Sequence, residues 1–148
     1  MRALLVLLLL AFTLGVAACG GSSPRLSRSD FVQKANAVCE KYNDELRALP
    51  RPTSAAEFAD FVHKGKALVR KQVDELGGLK PPAALQPAFD RLLAVAGREA
   101  PILDQMEVAA KGGDLKKAQR LDAKLSAVDA KANGDARRLG LTVCAERP

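Results

Sequence analysis

The chain is poor in aromatic and imidazole side chains. Its 148 residues include no tryptophan, one tyrosine, one histidine and five phenylalanines. Strands favour aromatic and β-branched side chains in an alternating pattern, and no segment of this sequence alternates in that way. A core built from leucine, valine and alanine suits closely packed helices. The sequence therefore predicts an all-α protein.

The common signatures of enzyme chemistry are also missing. The sequence contains no GxSxG, CxxC, HExxH or phosphate-loop motif. The single histidine, His63, has neither a cysteine nor a second histidine at ligand spacing, which argues against a metal centre. We expect a non-catalytic protein without a metal or cofactor.

Neither sign of charge dominates the chain. Lysine and arginine number 23 and aspartate and glutamate 17, which gives a net charge of +6. Opposite charges alternate along the whole sequence, a pattern typical of a solvated surface. A nucleic-acid-binding face concentrates its basic residues, so we expect no nucleic-acid partner.

The first 18 residues have the plan of a signal peptide. One basic residue precedes an apolar run at residues 3–14, and small residues follow it. The run is shorter than the roughly 20 residues that a membrane-spanning helix needs. The next residues, Val-Ala-Ala-Cys at 16–19, resemble the lipobox of bacterial lipoproteins. The resemblance implies that the Cys19 thiol receives a diacylglyceryl group and that the chain is cut after Ala18.

Cleavage at that point leaves one domain on a lipid anchor. Residues 19–28 are rich in glycine and serine and predict a flexible tether, and residues 29–148 predict the folded domain. We expect the protein on the extracytoplasmic face of the cell membrane. Gly20 is not the aspartate that commonly retains lipoproteins at the inner membrane, so in a cell with two membranes we expect the outer one.

Export also determines the fate of the other cysteines. With Cys19 acylated, Cys39 and Cys144 remain, and only one pairing is available. Disulfides persist outside the cytoplasm, which disfavours the alternative of two free buried thiols. Two thiols and one distant histidine also make a poor metal-ligand set. We therefore predict a Cys39–Cys144 disulfide.

Apolar residues recur at helical spacing in four segments. Serine and aspartate caps, paired glycines and prolines mark the ends of these segments. The predicted helices run from Ser27 or Ser29 to Leu49, from Ser54 to Gly77, from about Ala83 to Lys111, and from Asp114 to Leu139.

Pro101 interrupts the third segment, because it cannot donate a hydrogen bond to the Gly97 carbonyl. A kink or a break into two helices fits this position, and we expect the kink. Short links between four amphipathic helices predict an antiparallel up-down four-helix bundle. In that topology the fourth helix ends beside the start of the first, so the C-terminal tail can bring Cys144 to Cys39.

Three short motifs run through the mature sequence. They are F-x3-A-x3-C at residues 31–39, L-K-P-P at 79–82 and L-G-L-T-V-C at 139–144. With these motifs the chain resembles a group of small secreted actinobacterial lipoproteins. The resemblance implies a helical fold and an envelope location, and it implies no particular activity.

Two groups of basic residues are candidates for contact with an anionic partner. One group lies on the second predicted helix and the other on the fourth. If the helices are adjacent, the groups form a surface for an anionic envelope polymer or lipid head groups. An ordinary solvated surface is the alternative. The candidates are Lys64, Lys66, Arg70, Lys71, Lys116, Lys117, Arg120 and Lys124.

Two functional hypotheses follow from the sequence. The first is a membrane-tethered interaction module that docks an envelope protein or polymer through a helical face. The second is a small-ligand receptor with a cleft between helices near Gly65 and Pro101, where packing should be irregular. A closed, dry bundle interior favours docking, and a lined cavity of a few hundred Å³ favours the receptor. The oligomeric state stays open at this point.

Overall fold

The computed structural model describes residues 24–146. Within this range the protein is all-α, without a strand, and it is the antiparallel up-down bundle predicted from the sequence. The elements are α1 (Arg28–Arg47), α2 (Ala55–Gly77), α3 (Gln86–Ala96), α4 (Glu99–Lys111), α5 (Leu115–Leu139) and a 3₁₀ helix (Val143–Ala145).

The predicted signal peptide at residues 1–18, Cys19 and the first part of the predicted tether lie outside the described residues. Between residues 24 and 146, no helix combines the length and the apolar character that crossing a bilayer requires.

Three helices begin at the caps that the sequence predicts. The hydroxyl of Ser27 accepts a hydrogen bond from the amide of Asp30 at 3.1 Å, and that of Ser54 accepts one from Glu57 at 3.2 Å. The Asp114 carboxylate accepts one from the Lys117 amide at 2.9 Å. Each bond satisfies an amide that has no partner within its own helix.

The third predicted helix is divided into α3 and α4, so the expected kink at Pro101 is wrong. The chain breaks at Gly97 and Arg98, and Pro101 is the third residue of α4. A proline in a first turn loses no intrahelical hydrogen bond, because the amides of that turn have no partner there. At the break, a Cβ on Gly97 would lie only 3.2 Å from the Leu93 carbonyl oxygen, which favours glycine at this position.

The helices enclose two buried clusters, one towards each end of the bundle. We call the end where α2 passes into α3 the base, and the end where α1 passes into α2 the top. The base cluster joins α1, α3, the end of α5 and the C-terminal tail, and in it the rings of Phe31 and Phe89 meet edge to face at 4.9 Å. The top cluster joins α2, α4 and the start of α5, and it includes Val62, Met106 and Leu121.

The C-terminal tail folds back on α1 after Gly140. Gly140 has φ of +82°, and the following Leu141 amide donates to the Ala136 carbonyl at 2.9 Å, as the sequence predicts for this helix end. The tail then reaches α1, where the predicted Cys39–Cys144 disulfide is present with an S–S distance of 2.05 Å.

Two asparagines of α1 hold the tail beside the disulfide. The Asn36 side-chain oxygen accepts a hydrogen bond from the Val143 amide at 3.2 Å. The Asn43 side-chain amide donates to the Val143 carbonyl at 3.2 Å. Because Asn43 is fully buried, this bond offsets the cost of removing its amide from water.

The last residues of the predicted tether lie against the base of the bundle. The Arg25 guanidinium donates to the Pro81 carbonyl at 2.9 Å and to the Gln86 side chain at 2.7 Å. The Leu26 amide donates to the Lys80 carbonyl at 2.8 Å, and the Leu26 side chain packs on the base cluster. These contacts fix the direction in which the chain enters α1.

Candidate functional site

A cleft opens at the top of the bundle because α1 ends before it reaches the level at which α2 begins. The helix ends at Arg47, ahead of Pro50 and Pro52, and its last apolar residue lies level with Gly65 of α2. A Cβ on Gly65 would lie 3.8 Å from Cδ2 of Leu46. The α2 helix extends about ten residues beyond that level, or roughly 15 Å, without α1 beside it.

The cleft has a volume of about 600 Å³. The end of α1 and the loop after it form one side, and α2, α4 and α5 form the others. Its walls are mainly apolar and include Leu46, Phe58, Phe61, Leu103, Met106 and Leu125. Phe58, Phe61 and Leu125 are only half-buried, so part of the apolar wall faces solvent.

Charged residues occupy defined places around this apolar wall. Arg47 and Arg51 line the α1 side and are exposed, and Asp122 of α5 is exposed on the opposite side. Glu99 also lines the cleft but is only 1 % exposed. It lies in the first turn of α4, where the positive end of the helix dipole stabilises a carboxylate. The cleft therefore offers apolar walls with polar groups near its edges and on its floor.

An ion-pair network fixes the wall between α2 and α4. The Glu107 carboxylate, almost fully buried on α4, binds Lys111 at 2.6 Å, Lys66 at 2.7 Å and the His63 imidazole at 3.2 Å. Hydrogen bonds from Lys111 and then Lys66 lower the pKa of Glu107 to about 2. Lys66 also binds Asp104 at 2.7 Å, and this hydrogen bond lowers the pKa of Asp104. The network holds α2 and α4 together at the level of the cleft.

The basic residues predicted on α2 are largely occupied by this network and its neighbours. Lys64 pairs with Asp60 at 2.6 Å, and Arg70 pairs with Asp104 at 2.9 Å. Lys66 is paired within the network, so only Lys71 of this group has no ion pair among the described residues.

The basic residues predicted on α5 are different. Within residues 24–146, none of the four forms an ion pair, and all four are exposed. They are Lys116, Lys117, Arg120 and Lys124. The two predicted groups lie on separate helices, α2 and α5, both of which pack on α4.

The sequence identified Gly65 as part of a cleft and missed most of the other lining residues. The helical pattern places Phe58, Leu103 and Met106 on inward faces, and such faces normally indicate a filled core. Pro101 is exposed and lies outside the lining. The missed signal is the end of α1 at Arg47, ahead of Pro50 and Pro52, which leaves the first turns of α2 without α1 beside them.

Among the described residues, no group of three or more histidine, cysteine, aspartate or glutamate side chains is placed to hold a metal ion. Comparison of the chain with protein-family models, curated proteins and solved structures gives no match. The geometry of the cleft is therefore the basis for a functional proposal.

Proposed function

We propose that this protein is a membrane-anchored extracytoplasmic lipoprotein whose helical bundle binds a small, largely apolar ligand in the cleft at the top. The observation that carries the proposal is the cavity of about 600 Å³ between α1, α2, α4 and α5. Binding sites for small molecules are typically clefts of roughly 300–1,000 Å³, with apolar walls and a few polar groups. The cleft meets each part of that description.

The open cleft has a cost in stability, which supports a role in binding. Half-buried side chains such as Phe58, Phe61 and Leu125 face a space that a longer α1 would fill. Burial of apolar surface stabilises a fold by about 25 cal/mol per Å². A ligand that occupies the cleft recovers this free energy and so binds through it.

The proposed role is binding and not catalysis. The sequence contains no motif that pairs a nucleophile with a base. The ligand that we expect is held by apolar contact, with a polar group near Arg51 or Asp122 at the edge.

The ligand part of the proposal is tested by filling the cleft. The Gly65→Leu variant places a side chain in the cavity, because a Cβ at this position meets only Leu46 at ordinary contact distance. Ala67→Leu is the matched control, since it adds a side chain of the same kind to an exposed position on the same helix. The probe is the apolar dye 8-anilinonaphthalene-1-sulfonate, whose emission rises in apolar surroundings.

The wild-type domain and the Ala67→Leu variant should bind the dye with the same affinity. The Gly65→Leu variant should bind it at least about tenfold more weakly, a loss of roughly 1.4 kcal/mol. Thermal unfolding of all three proteins checks that each is folded. Equal dye binding by the three folded proteins would contradict the proposal.

The location is tested at Cys19. The wild-type chain should carry a lipid label and remain with the membrane fraction, on the outer face of the cytoplasmic membrane or in the outer membrane of a two-membrane cell. The Cys19→Ala variant should lose the label and leave the membrane fraction. A wild-type chain without the label, retained to the same extent as the variant, would refute the anchor.

Docking of an envelope protein or anionic polymer is a second candidate function. The observation that favours it is the row of four exposed bases on α5 that form no ion pair within residues 24–146, together with Leu115, which is 55 % exposed near the start of that helix. Crosslinking in the native cell separates the two functions. Replacement of the α5 bases by glutamine should abolish a partner crosslink if docking is the function, and Gly65→Leu should leave it unchanged.

A further inference from the structure

We propose that the base of the bundle rests on an anionic lipid surface, so that the ligand cleft faces away from the membrane. The contact surface consists of two segments, residues 24–28 and 78–87. The inference rests on the proposed acylation of Cys19 and adds to it the orientation of the domain.

The first argument is the composition of the base. These two segments contain Arg25, Arg28 and Lys80 and no acidic residue. All three bases are exposed, and Arg28 and Lys80 form no ion pair among the described residues. An anionic membrane surface attracts each such base. The charge of these two segments therefore complements an anionic leaflet.

The second argument is the apolar surface between these bases. Ala83, Ala84 and Pro87 are exposed at the turn into α3, and Leu79 and Leu85 beside them are half-buried. Small exposed apolar groups with basic neighbours suit the boundary between head groups and acyl chains. The acidic residues nearest in the sequence are Asp30 on α1, Glu75 on α2 and Asp90 on α3, and all three lie outside the two segments.

The third argument is the reach of the anchor. Arg25 and Leu26 are bonded to the turn that contains Lys80 and Pro81, so the chain leaves the domain at the base. From Cys19 to Arg25 there are six Cα–Cα steps, which span at most about 22 Å. The α2 helix alone, with 23 residues, places the top about 34 Å from the base. The base is therefore the end that the anchor holds at the membrane.

The absence of tryptophan from the chain allows a direct test. Single tryptophans are introduced at Ala84 on the base and at Ala56 near the top, both of which are exposed. Each lipidated protein is reconstituted in vesicles of brominated phosphatidylglycerol and, separately, of brominated phosphatidylcholine. Bromine quenches a tryptophan that lies at the depth of the lipid head groups or below.

The proposal predicts strong quenching of Ala84→Trp in the anionic vesicles, weaker quenching in the neutral ones, and none of Ala56→Trp. Adding Arg28→Gln and Lys80→Gln should lower the contact equilibrium of Ala84→Trp about fivefold for each charge, which is the equivalent of 1 kcal/mol. These two side chains take no part in the contacts of Arg25. Lys116→Gln and Lys117→Gln at the top are the matched control and should change nothing.

Three results would overturn the orientation. They are equal quenching of the two tryptophans, no quenching of Ala84→Trp, and quenching of Ala84→Trp that is unchanged by Arg28→Gln and Lys80→Gln. Intact mass of each sample reports the acyl group separately, and a chain without it would overturn the anchor and the orientation together. Dye binding in the cleft is measured on the same vesicles, so failure of the ligand proposal is distinguished from failure of this one.

Discussion

Removal of the Cys39–Cys144 disulfide should destabilise the domain strongly, because the bond closes almost the whole folded chain into one loop. The two cysteines are 105 residues apart in sequence. In the chain-entropy model, a cross-link over a loop of about that length stabilises the native state by about 4.7 kcal/mol. For a domain of this size, whose unfolding entropy is about 2.1 cal/mol/K per residue, that corresponds to a fall in Tm of about 15–20 °C.

The assay is urea unfolding of the domain with Cys39→Ala and Cys144→Ala, followed by circular dichroism at 222 nm. The reference protein keeps the disulfide, and both proteins carry Cys19→Ser, which removes the anchor. The hydrogen bonds of Asn36 and Asn43 still hold the tail in the variant, so the helical signal of the folded state should be unchanged. A loss of less than about 1 kcal/mol in the free energy of unfolding would refute the reasoning, because the disulfide would then constrain the unfolded chain very little.

Two other predictions concern the glycines of α5 and the buried carboxylate of α4. Gly140→Ala should cost about 1–2 kcal/mol of unfolding free energy, because Gly140 has φ of +82°. Gly134→Ala, in the interior of α5, should instead stabilise the domain by up to about 1 kcal/mol in the same urea assay. Since the pKa of Glu107 is lowered to about 2, its contribution to stability should be complete above its ordinary pKa of 4.5 and disappear as the pH falls towards 2. Urea midpoints measured from pH 6 to pH 2 should therefore fall less steeply for Glu107→Gln than for the wild-type domain, and identical slopes would contradict the role of this carboxylate.

Most of the helical architecture can be predicted from the sequence, because interactions between residues close in the sequence determine it. The caps at Ser27, Ser54 and Asp114 act through hydrogen bonds that span only three residues, so a short motif is sufficient to locate them. Gly140 ends α5 for an equally local reason. The position of a proline is less decisive, since Pro101 is compatible with a kink or with a first turn, and in the folded protein it lies in the first turn of α4.

The candidate site is harder to predict from the sequence, because it depends on where helices end relative to one another in the folded protein. Gly65 drew attention as an inward-facing glycine, yet the cavity exists because α1 stops beside it. The pairing of Lys66 with Glu107 joins residues 41 positions apart and is invisible to a pattern with a helical period. Residues that look alike in sequence therefore differ in their contacts: Lys64, Lys66 and Arg70 of α2 form ion pairs, while the four bases of α5 form none within residues 24–146.

Because the core is divided into two clusters, the two ends of the bundle should differ in how easily they unfold locally. The disulfide and the tail lie on the base cluster, while the top cluster is held by the side chains of α2, α4 and α5 alone. Local unfolding therefore costs less free energy at the top than at the base. Amide hydrogens of the first turns of α2 and the last turns of α4 should exchange with solvent by sub-global opening, while those of α1 beside Cys39 should exchange only when the whole domain unfolds. A ligand would then enter the cleft at the top, the end that unfolds locally, while the base stays folded.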